Sequence, residues 1–363
     1  MITLSNINIS HVLYPRIDLA GIRLGVGGGG RGQTSPIPGL EGVLGLYSGK
    51  GLTNEQMSAN PVWKDKSGKG NDLQMKNFLW RLGSGCGSYK LDFTTFTPNG
   101  GELSRTFSSF TYSVKGNDNA TIYNTLVDVG YVYDFNVRIE GLSAGVTASF
   151  LILGSDSVVF EKDGIYNIHL EMKEEATQKR LYFRIIRSSS SINATVKVTQ
   201  IPDYSGAIVF DGVDDYGMCE TFPILTKEKG YTVMALRKYI TANLAYLVYN
   251  GNKASETAFA FERSDSVDTW SWGKNSVIRN LLPSLFSYQT SNSYNNSPIA
   301  TGIVLEGDTS ITVAKTIGNY ANVALYSLVI IDHDTTEEER QLVIDYWKKE
   351  FPELLTNPQK QII

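Results

Sequence analysis

Between Val132 and Glu140, the residues Tyr133, Phe135, Val137 and Ile139 alternate with Asp134, Asn136, Arg138 and Glu140. A period of two sends one set to each face of a strand, so this stretch reads as a half-buried strand with a solvent side. The same rhythm returns in Tyr166, Ile168, Leu170 and Met172, in Leu181, Phe183 and Ile185, and in Val196 and Val198. Gly141, Ser143-Ala144-Gly145, Gly154-Ser155-Asp156 and Ser188–Ser191 separate these runs with turn chemistry. Short strands at this spacing over residues 106–201 predict a self-contained β-sandwich.

Further strands are predicted at Tyr231–Leu236, Tyr246–Tyr249, Ala258–Glu262, Thr269–Trp272, Thr309–Val313 and Val323–Ile331. The last is almost continuously apolar, the pattern of a strand buried on both faces. One helix is predicted, near the end. Thr335-Thr336-Glu337-Glu338 reads as a capping box with Thr335 as N-cap and Glu338 at N3. Acids at its start and Lys348 and Lys349 at its end suit the macrodipole. Leu342, Val343, Tyr346 and Trp347 form a stripe that would pack on a sheet, and Pro352 stops the helix. Residues 76–105 read as irregular and Gly-rich, and 356–363 as a loose tail. GVGGGGRGQTSPIPG, residues 25–39, is predicted to be a flexible hinge, and residues 1–35 to be an N-terminal anchor with this Gly-rich hinge.

Composition narrows the class. The chain has 363 residues, 42% hydrophobic and 19% charged, with a net charge of −4. That allows substantial cores and gives no electrostatic footprint for nucleic acid or an anionic membrane. The N-terminus lacks the basic and apolar regions of a signal peptide, and no apolar run has the length of a membrane span. Neither spacing nor context pairs Cys86 with Cys219, and no Cys/His metal motif occurs.

Two phrases organise the rest. VWKDKSGKGNDL spans residues 62–73, and IVFDGVDDYG spans residues 208–217. A Trp-x-Asp-x-Ser-Gly-x-Gly-Asn-Asp phrase followed by Phe-Asp-Gly-x-Asp-Asp-Tyr, a closing apolar strand and a Thr-capped helix resembles laminin-G-like, concanavalin A-type sandwich domains. The resemblance covers about 40–75 and 204–351. It implies an all-β fold: a concanavalin A-like jelly-roll sandwich, residues 36–80 and 204–355, interrupted by an inserted β-sandwich, residues 81–203. Loop closure entropy grows slowly with length, so a loop can carry a whole domain if its ends lie close together. The insert resembles jelly-roll modules of carbohydrate enzymes.

Ser84–Tyr89, DGVDDYGMCETFPIL and YTVMALRK together resemble proteins of gut Bacteroides and their crAss-like phages. That implies a virion surface protein, a head fibre or capsid decoration, attached to capsid or other virion proteins through its N-terminal segment. A homo-oligomer, adhesion to surface polysaccharide and no catalysis are the corresponding expectations. A bacterial carbohydrate-binding module or adhesin is the alternative, and a glycoside hydrolase the third.

Candidate chemistry is sparse. A glycosidase needs two carboxylates facing one another across a cleft. Glu171–Glu175, Asp265–Asp268 and Asp332-His333-Asp334 do not offer that spacing, and His11, His169 and His333 are scattered without a nucleophile elbow. Asp211, Asp214 and Asp215 offer oxygens to Ca²⁺, or cap the turn through Asx hydrogen bonds. Three carboxylates fall short of the about six to eight oxygens that Ca²⁺ takes, which favours the turn role. No other cofactor is implied. For glycan binding the candidates are Trp270 and Trp272 on one strand, with core packing as the competing role, and Tyr288, Tyr294 and Asn295 in the polar loop 287–298.

Overall fold

The computed structural model describes residues 18–19, 22–23, 35–124, 130–173, 179–188, 191–225, 229–241, 245–250, 260–264, 269–272, 285–294, 297–298, 310–316 and 319–355. The hinge glycines Gly27–Gly30, the tail 356–363 and Asn295 lie outside them. Residues 1–34 and 35–363 form separate compact units. In the first, Asp18–Leu19 pairs antiparallel with Ile22–Arg23.

The second unit contains two sandwiches, one inserted in the other. The host sandwich has two antiparallel sheets. One runs Ser297–Pro298, Ser293–Tyr294, Phe286–Thr290, Thr232–Tyr239, Asn322–Ile331, Ile208–Asp211, Gly85–Cys86, with Val43–Ser48 also paired to Asn322–Ile331. The other runs Thr269–Trp272, Ala260–Ser264, Tyr246–Asn250, Ile311–Val313, Tyr216–Cys219, Leu73–Lys76, Val62–Trp63. Between them lies a core that includes Tyr47, Trp63, Phe210, Val233 and Leu325.

The outer face of the first sheet is covered by helix α2, Glu337–Glu350. Val343 and Trp347 are buried against Met234, Leu236, Val329 and Ile331. This explains the apolar run at Asn322–Ile331, where every residue after Asn322 is buried. The cap of α2 falls one residue later than the sequence predicts: Thr336 is the N-cap and Glu339 closes the box. Thr335 is drawn instead into the sheet, where its N–H donates to Thr232 Oγ1 at 3.0 Å.

Three further departures are local. A six-residue helix, α1, spans Asn54–Ala59 with its own capping box at Thr53 and Gln56. Its signal is too short to register as a helical period. Residues 76–105 hold strands at Gly85–Cys86, Thr97–Asn99 and Glu102–Arg105, because pairing partners elsewhere in the chain stabilise them. The polar loop expected at 287–298 is instead strand Phe286–Thr290 and a hairpin, since Phe286–Thr290 finds Thr232–Leu236 to pair with.

The insert's sheets run Ser157–Phe160, Val146–Ile152, Leu181–Arg187, Ala120–Asn124, Thr97–Asn99 and Gly164–Glu171, Val132–Glu140, Ile192–Ile201, Ser109–Gly116, Glu102–Arg105. Phe93, Phe96, Phe110, Phe135, Phe150 and Phe183 form an aromatic chain through its core.

The chain enters and leaves the insert side by side. Gly85–Cys86 pairs with Ile208 and Val209. Tyr204 N donates to Gly87 O at 2.9 Å, and Gly87 N donates to Ala207 O at 2.9 Å. The buried Gln200 side chain accepts from the backbone N–H groups of Lys90 and Leu91 and donates to Leu91 O, each at 3.0 Å. Lys90 and Asp203 form an ion pair at 3.0 Å across the crossing. Because both crossings occupy one narrow neck, the host sheets close as if the insert were a short loop.

Candidate functional site

The first phrase is built as a structural turn. Asp65 accepts from Leu46 N at 3.0 Å, Ser67 N at 2.8 Å, Ser67 Oγ at 2.7 Å and Asn71 N at 3.1 Å. Asp72 accepts from Asp65 N at 2.9 Å, and Asn71 Nδ2 donates to Leu44 O at 2.6 Å. Trp63 Nε1 donates to Ser48 O at 3.0 Å, and Tyr47 OH donates to Asn71 O. Gly68 and Gly70, at φ +80° and +79°, take the left-handed conformations that the reversal needs. Trp63, Asp65, Ser67, Asn71 and Asp72 thereby hold the turn to the host strands and to itself.

The second phrase carries an acidic turn that crosses from one host sheet to the other, between Ile208–Asp211 and Tyr216–Cys219. Gly212 sits at φ +78°. Asp211 Oδ1 accepts from Val213 N at 2.8 Å and Asp214 N at 3.3 Å, the Asx capping expected of such a turn. Asp215 Oδ2 accepts from Asp211 N at 3.2 Å. Asp211, Asp214 and Asp215 each bring a carboxylate oxygen within 4.8 Å of the others. Asp214 is exposed, whereas Asp215 is only 1% exposed. Burial pushes the Asp215 carboxyl up to about 7, and the neighbouring Asp211 and Asp214 charges add to this against opposing hydrogen bonds from Ser84 and the Asp211 backbone.

The second host sheet keeps an outer face that α2 does not cover. Its inward residues Leu73, Met75, Gly217, Cys219, Ile311 and Val313 face the core, so alternation turns Gln74, Lys76, Tyr216, Met218 and Thr312 outward. Tyr216 and Tyr320 stand 6.2 Å apart, and the Lys315 ammonium lies 3.7 Å from the Tyr216 ring centre and 5.6 Å from that of Tyr320. All three are half-buried. Tyr246 and Tyr249 stack at 6.1 Å in the same sheet. None of these tyrosines stands out in the sequence as a site residue. Their sole signal is alternation in strands whose partners the sequence does not name.

The expected glycan residues are dispersed. Trp270 and Trp272 lie on the edge strand of this sheet, paired with Arg263 and Ala260; their side chains are outside the described residues, as is that of Tyr294. Tyr288 is in the opposite sheet and only 9% exposed, with the Arg340 guanidinium 4.6 Å from its ring centre. It belongs to the contact between α2 and the sheet, which corrects its expected place on an open loop.

His11 lies outside the described residues, and the other two histidines pair with carboxylates. His333 Nδ1 meets Asp332 at 3.0 Å and Nε2 meets Glu339 at 3.1 Å, which ties the start of α2 to the preceding strand. Asp334 accepts from Ser291 N, Ser291 Oγ and Asn292 Nδ2 at 2.7–2.8 Å. His169 pairs with Asp134 at 2.7 Å on an exposed strand face of the insert. At the neck, a groove of about 240 Å³ is lined by Thr53, Cys86, Tyr89 and Pro202 among others. Burial pushes the Cys86 thiol up to about 12, so it is protonated and inert as a nucleophile.

No protein-family model matches the sequence, and no curated protein is similar to it. Among solved structures, Trypanosoma rangeli sialidase in complex with 2,3-difluorosialic acid is similar over 69% of this chain and 62% of its own, at 5% identity and a TM-score of 0.29. The same sialidase with sialic acid gives 69% and 62%, 7% identity and 0.24. Truncated AlyQ with CBM32 and alginate lyase domains gives 68% and 98%, 12% identity and 0.19. The chain thus spans less than two thirds of the sialidases' length. At these scores the likeness transfers neither activity nor ligand, and the fold rests on the sheets described above.

Proposed function

We propose that this chain is a non-catalytic adhesion protein of a phage particle surface, a head fibre or capsid decoration, that presents carbohydrate-binding sandwiches. The observation that carries the binding role is the half-buried group formed by Tyr216, on the outward side of the host sheet that α2 does not cover, with Lys315 and Tyr320 of the adjoining hairpin. Aromatic rings beside a cation and a polar neighbour such as the exposed Gln74 suit a sugar, which needs apolar contact on one face and hydrogen bonds at its edges. Weak sites of this kind gain strength from copy number. The virion setting rests on the sequence resemblance. In that setting residues 1–35 attach the protein to other virion components, residues 36–80 and 204–355 form the host and residues 81–203 the insert, and the assembly is a homo-oligomer.

A glycan array probed with the intact chain tests the binding role. Tyr216→Ala and Tyr320→Ala are expected to weaken any hit at least about tenfold, about 1.4 kcal/mol each. Unchanged binding in both would overturn the assignment of this face, and release of reducing sugar would replace it with a hydrolase. Deleting residues 1–35 should abolish incorporation into particles while leaving folded sandwiches. Continued incorporation would sink the anchor.

A further inference from the structure

The insert's sheet that contains Ala120–Asn124, Val146–Ile152 and Leu181–Arg187 has an outer face of unusual charge. Ile122, Phe150, Phe183 and Ile185 point from these strands into the core, so alternation turns Tyr123, Tyr182 and Arg184 outward. Tyr123 and Tyr182 stand opposite one another on adjacent strands, with ring centres 5.9 Å apart. The Arg184 guanidinium lies over the Tyr182 ring, 4.9 Å from its centre. That of Arg180, just ahead of the strand Leu181–Arg187, lies over the Tyr123 ring at 5.6 Å. Arg180 is exposed, and Arg184 and Tyr123 are half-buried.

The chain carries a net charge of −4, yet the outward positions of this sheet hold no aspartate or glutamate. Apart from the two tyrosines and Arg184 they are hydroxyl, amide and aliphatic side chains. The insert's other sheet differs, for its outward Asp134 and Glu140 are met there by His169 and Arg138. No carboxylate pairs with Arg180 or Arg184 among the described residues. Two cations are thus held side by side on a pair of rings without a counter-charge. A guanidinium over a ring is attracted by the ring face and keeps its N–H donors in its own plane, where an oxyanion can meet two of them at once. Thr121 flanks Arg184 on one side and Ser149 on the other, with Asn99 beyond Thr121.

We infer that this face of the insert binds an anionic polysaccharide, with Arg180 and Arg184 taking its carboxylate or sulfate groups. Tyr123 offers apolar contact to a sugar ring, and the hydroxyl and amide side chains beside Arg184 offer hydrogen bonds to its neutral edges. Nucleic acid and anionic membranes call for more charge than the face has. DNA-binding proteins contact on the order of 6–10 phosphates, and lipid-binding clusters hold about 4–8 basic residues. Two guanidiniums among rings and hydroxyls suit a polymer whose charges are spaced by neutral, hydroxyl-bearing surface. The site is separate from Tyr216, Lys315 and Tyr320 on the host, and it does not depend on sugar binding there.

The test is affinity electrophoresis of the intact chain in gels that contain polygalacturonate, dextran sulfate or neutral dextran. Retardation by one or both polyanions is expected, weakening as NaCl rises. Which polyanion retards the chain tells carboxylate from sulfate as the recognised group. Arg184→Gln should weaken the retardation at least about tenfold, the loss that follows removal of a charge-assisted hydrogen bond. Arg184→Lys should recover only part of it, because an ammonium lacks the planar fork. Arg180→Gln, at an exposed position where folding is not at stake, should weaken it several-fold. No retardation by either polyanion would overturn the site, as would retardation unchanged in both Arg180→Gln and Arg184→Gln. A loss in Tyr216→Ala with both arginine variants unaffected would move polyanion binding to the host and overturn it too. So would equal or tighter binding to phosphatidylserine vesicles or to duplex DNA.

Discussion

The two sandwiches of this chain are of similar build but differ in what covers their outer faces. In the insert, strands such as Val132–Glu140 and Ile192–Ile201 alternate between buried and exposed along their length, because each sheet has the core on one side and water on the other. In the host, one sheet is apolar on both sides, with the sandwich core beneath and α2 above. The remaining host sheet has the core on one side, and on the side that α2 does not cover Gln74 and Lys76 are exposed and Tyr216 and Met218 half-buried. The difference teaches where ligand can reach: a continuous apolar run marks a covered face, and alternation marks an available one. Tyr216, with Lys315 and Tyr320 beside it, lies on an available face, whereas Tyr288 lies on the covered one.

The comparison breaks most readily at the cores. Phe135→Ala in the insert and Trp347→Ala under α2 each remove a fully buried ring, with an expected loss of about 3–5 kcal/mol. Scanning calorimetry should resolve two transitions, with Phe135→Ala moving only the insert and Trp347→Ala only the host. A single transition that moves with both variants would make the sandwiches one cooperative unit. Asp65→Ala should cost the host about 2–3 kcal/mol, since it strands the donors of Leu46, Ser67 and Asn71. Urea denaturation measures this, and Asp65→Asn should recover part of the loss.

Trp347→Phe sharpens the account of the covered face. The indole N–H of Trp347 is buried without a partner among the described residues. Phenylalanine loses volume but also removes that orphan, so the change should stay within about 1 kcal/mol. A loss as large as that of Trp347→Ala would mean that the indole N–H is satisfied after all.

The smallest expected effect is in pH. Burial alone would lower the His333 pKa, but its hydrogen bonds to Asp332 and Glu339 outweigh this and raise it. A raised folded pKa means that the contribution is complete below the unfolded value of about 6.5 and is lost as pH rises through the folded value. Glu339 runs the other way: the Thr336 backbone N–H and His333 lower its pKa, so its contribution is lost only as pH falls through that lowered value. Both groups are partly solvated, so the gain is under about 1 kcal/mol. Host melting should therefore drop slightly between about pH 6 and pH 8, and His333→Gln should flatten that slope.

By itself, the sequence determined what is local. Alternation identified Val132–Glu140 with its ends, the apolar run identified Val323–Ile331 of the strand Asn322–Ile331, and the turn residues of the two phrases identified reversals that the hydrogen bonds of Asp65 and Asp211 then explain. These features follow from periods of two or from backbone angles, which a short stretch carries within itself. The tertiary structure decided whatever depends on a distant partner. Phe286–Thr290 is a strand because Thr232–Leu236 accepts it, and the short strand Gly85–Cys86 exists because Ile208 and Val209 pair with it. Asp211, Asp214 and Asp215 were legible as an acidic turn, but not which carboxylate is buried. Burial and unmet hydrogen bonds are properties of packing between segments far apart in the chain, and no residue declares them alone.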